Sequence, residues 1–461
     1  MSGRPLRFWD LTFYAVAVGF GIRWLPYAAA AGPASLPLWF IAMAGFMGPL
    51  VAATAEMVGR YPTEGGLYDW TRATLGPMAG FLTGWLYWTC NLPFFSAVLY
   101  FTLTNFAAAL GPCATHAIAD PWVMAGLASA VAIAVGVLHW FGLGTGKWLT
   151  NFGSIAAGVL LATLLALSVA VALTRGVATD FSHASYAPPL TADGAALWAI
   201  MVFAYGGPEA LAFLREDVEG GVRQILRVLA LVGVLVFAAY MAGTLAMLTI
   251  FKAEDASRLA GLPDAFTLGF ARLGLKSLAP IAPLLLGVAS LGGYSAWFGV
   301  AARLPFVIGV DRYFPASFAH RDAKTGAPTT AIALQVVAVV VLVVLGQVGA
   351  TVKGAYDFLV SMSVVSYTLP FVFLFLAYFM VKAPAADGVW TAPGGALGRR
   401  SIALAGLAVT LTAIACTVVP SPDATDKIGA VIKLVVASAV LIGLGLAIYA
   451  WAARRRAKPI A

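Results

Sequence analysis

Charge is what this sequence has least of. Asp, Glu, Lys and Arg make up only 10% of its 461 residues, against roughly 25% in a soluble globular domain. That scarcity excludes a cytosolic enzyme, a disordered chain and a nucleic-acid-binding module. The net charge of +8 does not reverse this, because the basic residues sit in short patches between long apolar runs. Cysteine is nearly absent as well. Cys90, Cys113 and Cys416 are far apart and odd in number, which leaves neither a disulfide framework nor a cysteine-based metal site. No His/Asp/Glu cluster and no nucleophile–base pair stands within the apolar runs, so a membrane-embedded enzyme is disfavoured. The chain has no N-glycosylation sequon. No cleavable signal peptide is expected either: the stretch from Trp9 runs on too far and has no small-residue cleavage site behind a short apolar core.

What the chain has in abundance is apolar length. Hydrophobic residues reach 61%, and the mean hydropathy is +0.90. A hydrocarbon core needs about 20 apolar residues per helix, which predicts about twelve spans. They lie near residues 10–30, 36–58, 78–110, 121–141, 149–173, 194–214, 224–250, 278–301, 328–348, 354–381, 401–419 and 428–452. Runs of this length exclude an outer-membrane barrel, whose strands would alternate over about ten residues. The expectation is an all-α polytopic protein of the inner, cytoplasmic membrane. Most of the 28 Lys and Arg fall in segments that are cytoplasmic if both termini are.

Two spans are interrupted at similar depth, the first by Gly19-Phe20-Gly21 and the sixth by Gly206-Gly207-Pro208. Glycine disfavours continuous helix and proline removes a donor, so both points invite unwinding. Paired interruptions of this kind mark transporter sites, although glycine also serves simple close packing of membrane helices. Unwound backbone over Gly19, Phe20, Gly21 and Ile22 would turn N–H groups toward an anion. Around Phe203, Ala204, Tyr205 and Gly206 it would release carbonyls toward an ammonium group. Together the breaks describe a site for a zwitterionic α-amino acid. Glu209 follows at once, the one acidic residue that the pattern places deep in a span. It is a candidate proton carrier or gate, or else a structural hydrogen-bond anchor. Arg23, just past the first break, must face a polar cavity or pair with a partner such as Glu209, and its charge would repel a cationic side chain. His139 reads as structural, and Asn91 and Tyr294 give no direction. Gly142 to Trp148 mimics a phosphate loop but lacks its spacing and its Ser or Thr.

Four stretches resemble one family, the amino acid–polyamine–organocation superfamily of transporters. The first break is similar to its carboxylate motif, and Phe203 to Glu209 to its sixth-span motif. Tyr61 to Trp70, with Gly80-Phe81-Leu82-Thr83-Gly84-Trp85, resembles the loop and third-span signature. Arg303-Leu304-Pro305, Asp311 to Pro315 and Gly326-Ala327-Pro328 resemble the loop after the eighth span. The resemblance implies a five-plus-five inverted repeat of the LeuT type, divided as 1–175, 176–383 and 384–461. The last segment would hold helices 11 and 12 and a cytoplasmic tail. It also implies a secondary amino acid permease working by proton symport or substrate exchange, with substrate, protons and the lipid bilayer as partners and no cofactor. Gly19, Phe20, Gly21 and Ile22 would hold the carboxylate, and Phe203, Ala204 and Tyr205 the amine. Neutral amino acids are favoured and acidic ones next. The alternatives are a polyamine or cationic amino acid transporter, and a sensor that keeps the fold without turnover. Two residues depart from the family pattern: Gly158 at the position taken for its fifth-span Lys, and Arg23 itself.

Overall fold

The computed structural model describes residues 6–61, 63, 65–188, 190–255, 261–347, 352–384, 390–419 and 427–456. The molecule is all-helical, and ten helices among these residues are long and apolar enough to cross a membrane. They are Gly32–Arg60, Pro77–Leu110, Pro121–Trp140, Gly144–Arg175, Gly194–Asp217, Gly221–Ile250, Lys276–Gly309, Thr329–Gly346, Gly395–Thr417 and Val435–Arg455. Two further segments complete the twelve expected spans. One is the first span, split into Phe8–Gly19 and Leu25–Ala29. The other is the tenth, Val352–Met380, which carries Pro370 in its interior. Short helices Leu67–Leu75 and Gly261–Arg272 join spans two to three and seven to eight.

Between apolar helices in lipid there is little hydrophobic drive to associate, so packing depends on close backbone approach. The fifth and eighth spans show how the sequence provides it. A Cβ at Gly153 would run into the backbone of Gly292, and one at Gly292 into the backbone of Gly153. The pair lets the two helices cross with nothing between them, behind the first break. Gly158, assigned above to the family's cation position, turns out to face outward. Gly153, Ser154 and Ala157 are the residues of this span that line the central cavity. The reason is helical period: one residue is a 100° turn, enough to move a position from the cavity face to the lipid face.

The loop motifs meet in space. Asp311 accepts a hydrogen bond from the Tyr68 hydroxyl and pairs with Arg72, which also reaches Asp69 at 3.4 Å. Arg303 binds Asp217 and the Phe213 carbonyl at the end of the sixth span. There the Leu6 N–H donates to the Asp217 carbonyl at 2.7 Å. Pro62 and Glu64 of the first loop motif lie outside the described residues.

Glu209 is not the only buried carboxylate. Glu56, at the end of the second span, has a side chain 1% exposed and accepts from Arg60 at 2.5 Å, the Tyr378 hydroxyl at 2.8 Å and the Ala392 N–H at 3.0 Å. Arg399 stands 3.7 Å away. Its position near a helix end hid it from a reading based on apolar length. Removing one member of a buried ion pair costs about 3–5 kcal/mol, because the remaining charge is stranded. Glu56→Leu should therefore lower the melting temperature in detergent sharply. The exposed pair Arg7–Glu219 (3.5 Å, side chains 82% and 57% exposed) is worth about 0–1 kcal/mol, so Arg7→Ala should change it little. Equal shifts in the two variants would show that the Glu56 cluster holds nothing together.

Candidate functional site

Both predicted interruptions are real. The first helix ends at Gly19, after which Phe20 and Gly21 are extended (φ −119° and −104°). Helix resumes as a tight turn over Ile22–Trp24 and then as Leu25–Ala29. The sixth span runs as α-helix over Ala192–Ala204, breaks at Tyr205–Gly207, and continues as a 3₁₀ segment over Pro208–Asp217. Gly207 has φ +129°, and a Cβ there would strike the Val18 carbonyl and the Gly19 Cα. Only glycine satisfies both conditions, and through it the two breaks touch.

In hydrocarbon a broken helix must find partners for its freed backbone groups, and here side chains from other spans supply them. The Tyr240 hydroxyl, from the seventh span, accepts from the Gly21 N–H at 3.0 Å and donates to the Ala204 carbonyl at 3.0 Å, so one atom joins both breaks. Its ring stacks on Trp39 at 4.3 Å and 6°. Trp297, from the eighth span, donates its indole N–H to the Val18 carbonyl at 3.1 Å. Glu209 lies in the first turn of the second half-helix, fully buried. Its Oε1 accepts from the hydroxyls of Tyr87 (2.7 Å) and Tyr367 (2.6 Å), and its Oε2 from the Gly207 N–H (2.9 Å). The carboxylate thus caps its own helix and ties the third and tenth spans to it.

A cavity of about 70 Å³ opens between the breaks. Phe20, Gly21, Ile22 and Arg23 line it from one side, and Phe203, Ala204 and Gly206 from the other; Asn91, Phe94, Ser154, Ser290, Trp297 and Tyr367 complete the wall. Three expected site residues stand apart from that wall. Gly19 closes the first half-helix, where Gly207 abuts it. Tyr205 turns away, with its ring against Trp39 and Tyr240 and its hydroxyl donating to the Trp39 carbonyl at 3.2 Å. Glu209 stands behind Tyr367. Arg23 is on the wall, with its guanidinium over the rings of Trp24 (4.6 Å) and Phe94 (4.7 Å). This cation–π seating, together with the tyrosine bonds to Glu209, replaces the Arg23–Glu209 pairing suggested by the sequence.

Tyr240, Trp297, Tyr87 and Tyr367 escaped the sequence reading. Each is one aromatic among many in an apolar span, with no motif around it. His139 is structural, as read: its Nε2 lies 3.0 Å from the Ser295 hydroxyl. Asn91 lines the cavity, whereas Tyr294 packs between Phe95 and Phe298.

A family model described as amino acid permease matches residues 6–451. Among curated proteins, an uncharacterized transporter of Legionella pneumophila is 25% identical over 429 residues, spanning 91% of this chain and 90% of its own. A probable agmatine/putrescine antiporter of Lactococcus lactis is 22% identical, covering 77% of this chain and 74% of its own. A putative arginine/ornithine antiporter of Escherichia coli is 26% identical, covering 71% and 72%.

The Tyr240 bridge makes a direct test. Tyr240→Phe leaves an N–H and a carbonyl without their shared partner, at a cost of about 1–3 kcal/mol for each buried group left unsatisfied. The variant should melt well below wild type. The buried hydroxyl of Tyr294 makes no hydrogen bond among the described residues, so Tyr294→Phe should leave the melting temperature unchanged or raise it. Equal losses in both variants would mean that the bridge does not hold the breaks.

Proposed function

The chain belongs to the amino acid permease family of transporters, and on that footing we propose that it moves amino acids across the cytoplasmic membrane by alternating access, as an exchanger or a proton symporter. The observation that carries this reading is the single cavity bounded by both helix breaks. The N–H of Ile22, first in its helical turn, has no acceptor within that helix and suits a carboxylate. The carbonyls of Phe203 and Ala204 each accept one bond already, from the Gly206 N–H and the Tyr240 hydroxyl. A carbonyl oxygen has two lone pairs, so each retains one for an ammonium group.

Arg23 sets the charge of that cavity and is the only charged residue among its described lining. Neutral amino acids are favoured and acidic ones next. The names of two relatives, which refer to polyamine and basic amino acid exchange, make a cationic substrate the second reading. A guanidinium on the wall weighs against it. A unit charge pair at ~4 Å and an effective dielectric near ~20 is worth about 4 kcal/mol before desolvation. Arg23→Ala should therefore weaken acidic ligands most, change neutral ones less and improve cationic ones, as read by thermal shift of the purified protein against each class. An unchanged ranking would remove Arg23 from selection.

Glu209 is the proposed coupling residue. A carboxylate exists in a charged and a neutral form, and its two tyrosine partners belong to spans that line the cavity. Glu209→Gln keeps an oxygen for Tyr87 and Tyr367 but aims an NH₂ at the Gly207 N–H. It should melt lower than wild type and lose gradient-driven uptake into proteoliposomes, yet keep much of its exchange with internal substrate. Equal gradient dependence in both proteins would exclude Glu209 from coupling. Absence of any uptake by the wild type, despite ligand-induced thermal shifts, would favour a sensor.

A further inference from the structure

A second void lies outside the cavity between the breaks. A groove of about 420 Å³ runs between the turn at Tyr313-Phe314-Pro315 and the twelfth span. Its wall on that span is Leu444, Ala447, Ile448 and Trp451, spaced i, i+3, i+4 and i+7 as one face of a helix requires. Leu444 and Trp451 are 50% and 48% exposed. The same face continues, three and four residues beyond Trp451, into Arg454 and Arg455, both exposed. The Arg455 guanidinium lies 3.9 Å over the Trp451 ring. An apolar stripe thus ends in two cations, with an indole at the junction, where aromatic side chains sit in membranes.

We propose that this groove binds an anionic glycerophospholipid, with an acyl chain along Leu444 to Trp451 and the phosphate at Arg454 and Arg455. A neutral lipid would leave the two arginines unmatched, while an anionic headgroup meets them directly. A second copy of the chain fits worse. A symmetric dimer about an axis along the membrane normal would set each arginine pair against its own image.

The lipid would also act on the rest of the molecule. The Tyr313 ring stacks on Tyr449 of the twelfth span at 5.4 Å and meets Phe81 of the third at 5.1 Å, tilted by 57°. Two residues before it, Asp311 holds Tyr68 and Arg72. A chain filling the groove buttresses the wall that carries this cluster, so anionic lipid should favour the conformation in which Asp311 is engaged.

The test compares vesicles of phosphatidylcholine with vesicles of a phosphatidylcholine–phosphatidylglycerol mixture. The wild type should melt higher in the mixture. Arg454→Gln and Arg455→Gln together should abolish that gain while leaving behaviour in phosphatidylcholine unchanged. Each charge removed should weaken binding of a fluorescent phosphatidylglycerol about fivefold. Ala447→Trp, which fills the groove with an indole, should also lose the phosphatidylglycerol response. Inorganic phosphate in solution should not substitute for the lipid, since it cannot occupy the apolar stripe. Three results would overturn the proposal: an equal phosphatidylglycerol response in wild type and the double variant, a full response to free phosphate, or a dimer in vesicles that Ala447→Trp dissociates.

Discussion

A break in a helix at membrane depth exposes backbone donors and acceptors where no water can meet them, and most of the site follows from that constraint. Tyr240 answers it with one hydroxyl, taking the Gly21 N–H and giving to the Ala204 carbonyl. Trp297 takes the Val18 carbonyl, and Glu209 takes the Gly207 N–H. Each partner comes from a different part of the bundle or from the far side of the break. The unwound segments are therefore held by the spans that surround the cavity, and movement of any of those spans changes what the cavity offers.

Buried charge is handled in three different ways within one chain. Glu56 sits among two arginines, a tyrosine and a backbone N–H, so both of its carboxylate oxygens are matched at the end of the second span. Glu209 is matched by neutral donors only, two tyrosine hydroxyls and the Gly207 N–H. Arg23 lies over two aromatic faces on the cavity wall. Aromatic faces stabilise a cation by about 0.5–2 kcal/mol, less than a carboxylate at the same distance would.

The network does not stop at the cavity. Tyr367 and Phe203 pack at 4.9 Å, Tyr87 packs against Phe213 at 5.7 Å, and the Phe213 carbonyl accepts from Arg303, which pairs with Asp217. A chain of contacts therefore runs from the cavity wall through the second half-helix to the segment around Leu6. Asp311, with Tyr68 and Arg72, forms a second cluster that ties the loop after the eighth span to the helix Leu67–Leu75. These are the places where a change at the breaks can be transmitted outward.

The sequence by itself determined the membrane class, the position of nearly every span and the location of both breaks. Apolar length, glycine and proline act through local backbone physics, which needs no partner to be read. It also placed Arg23, Phe20, Gly21, Ile22, Phe203, Ala204 and Gly206 where the cavity formed. Only the tertiary structure decided which residues complete the site. Tyr205 turned out to face Trp39, Gly158 to face outward, and Glu209 to bond tyrosines rather than Arg23. Tyr240, Tyr87, Tyr367 and Trp297 entered as partners from distant spans. The direction of a side chain on a buried helix, and the partner it meets, depend on how helices rotate and cross. In a chain apolar on nearly every face, the hydrophobic pattern carries too little contrast to fix that rotation.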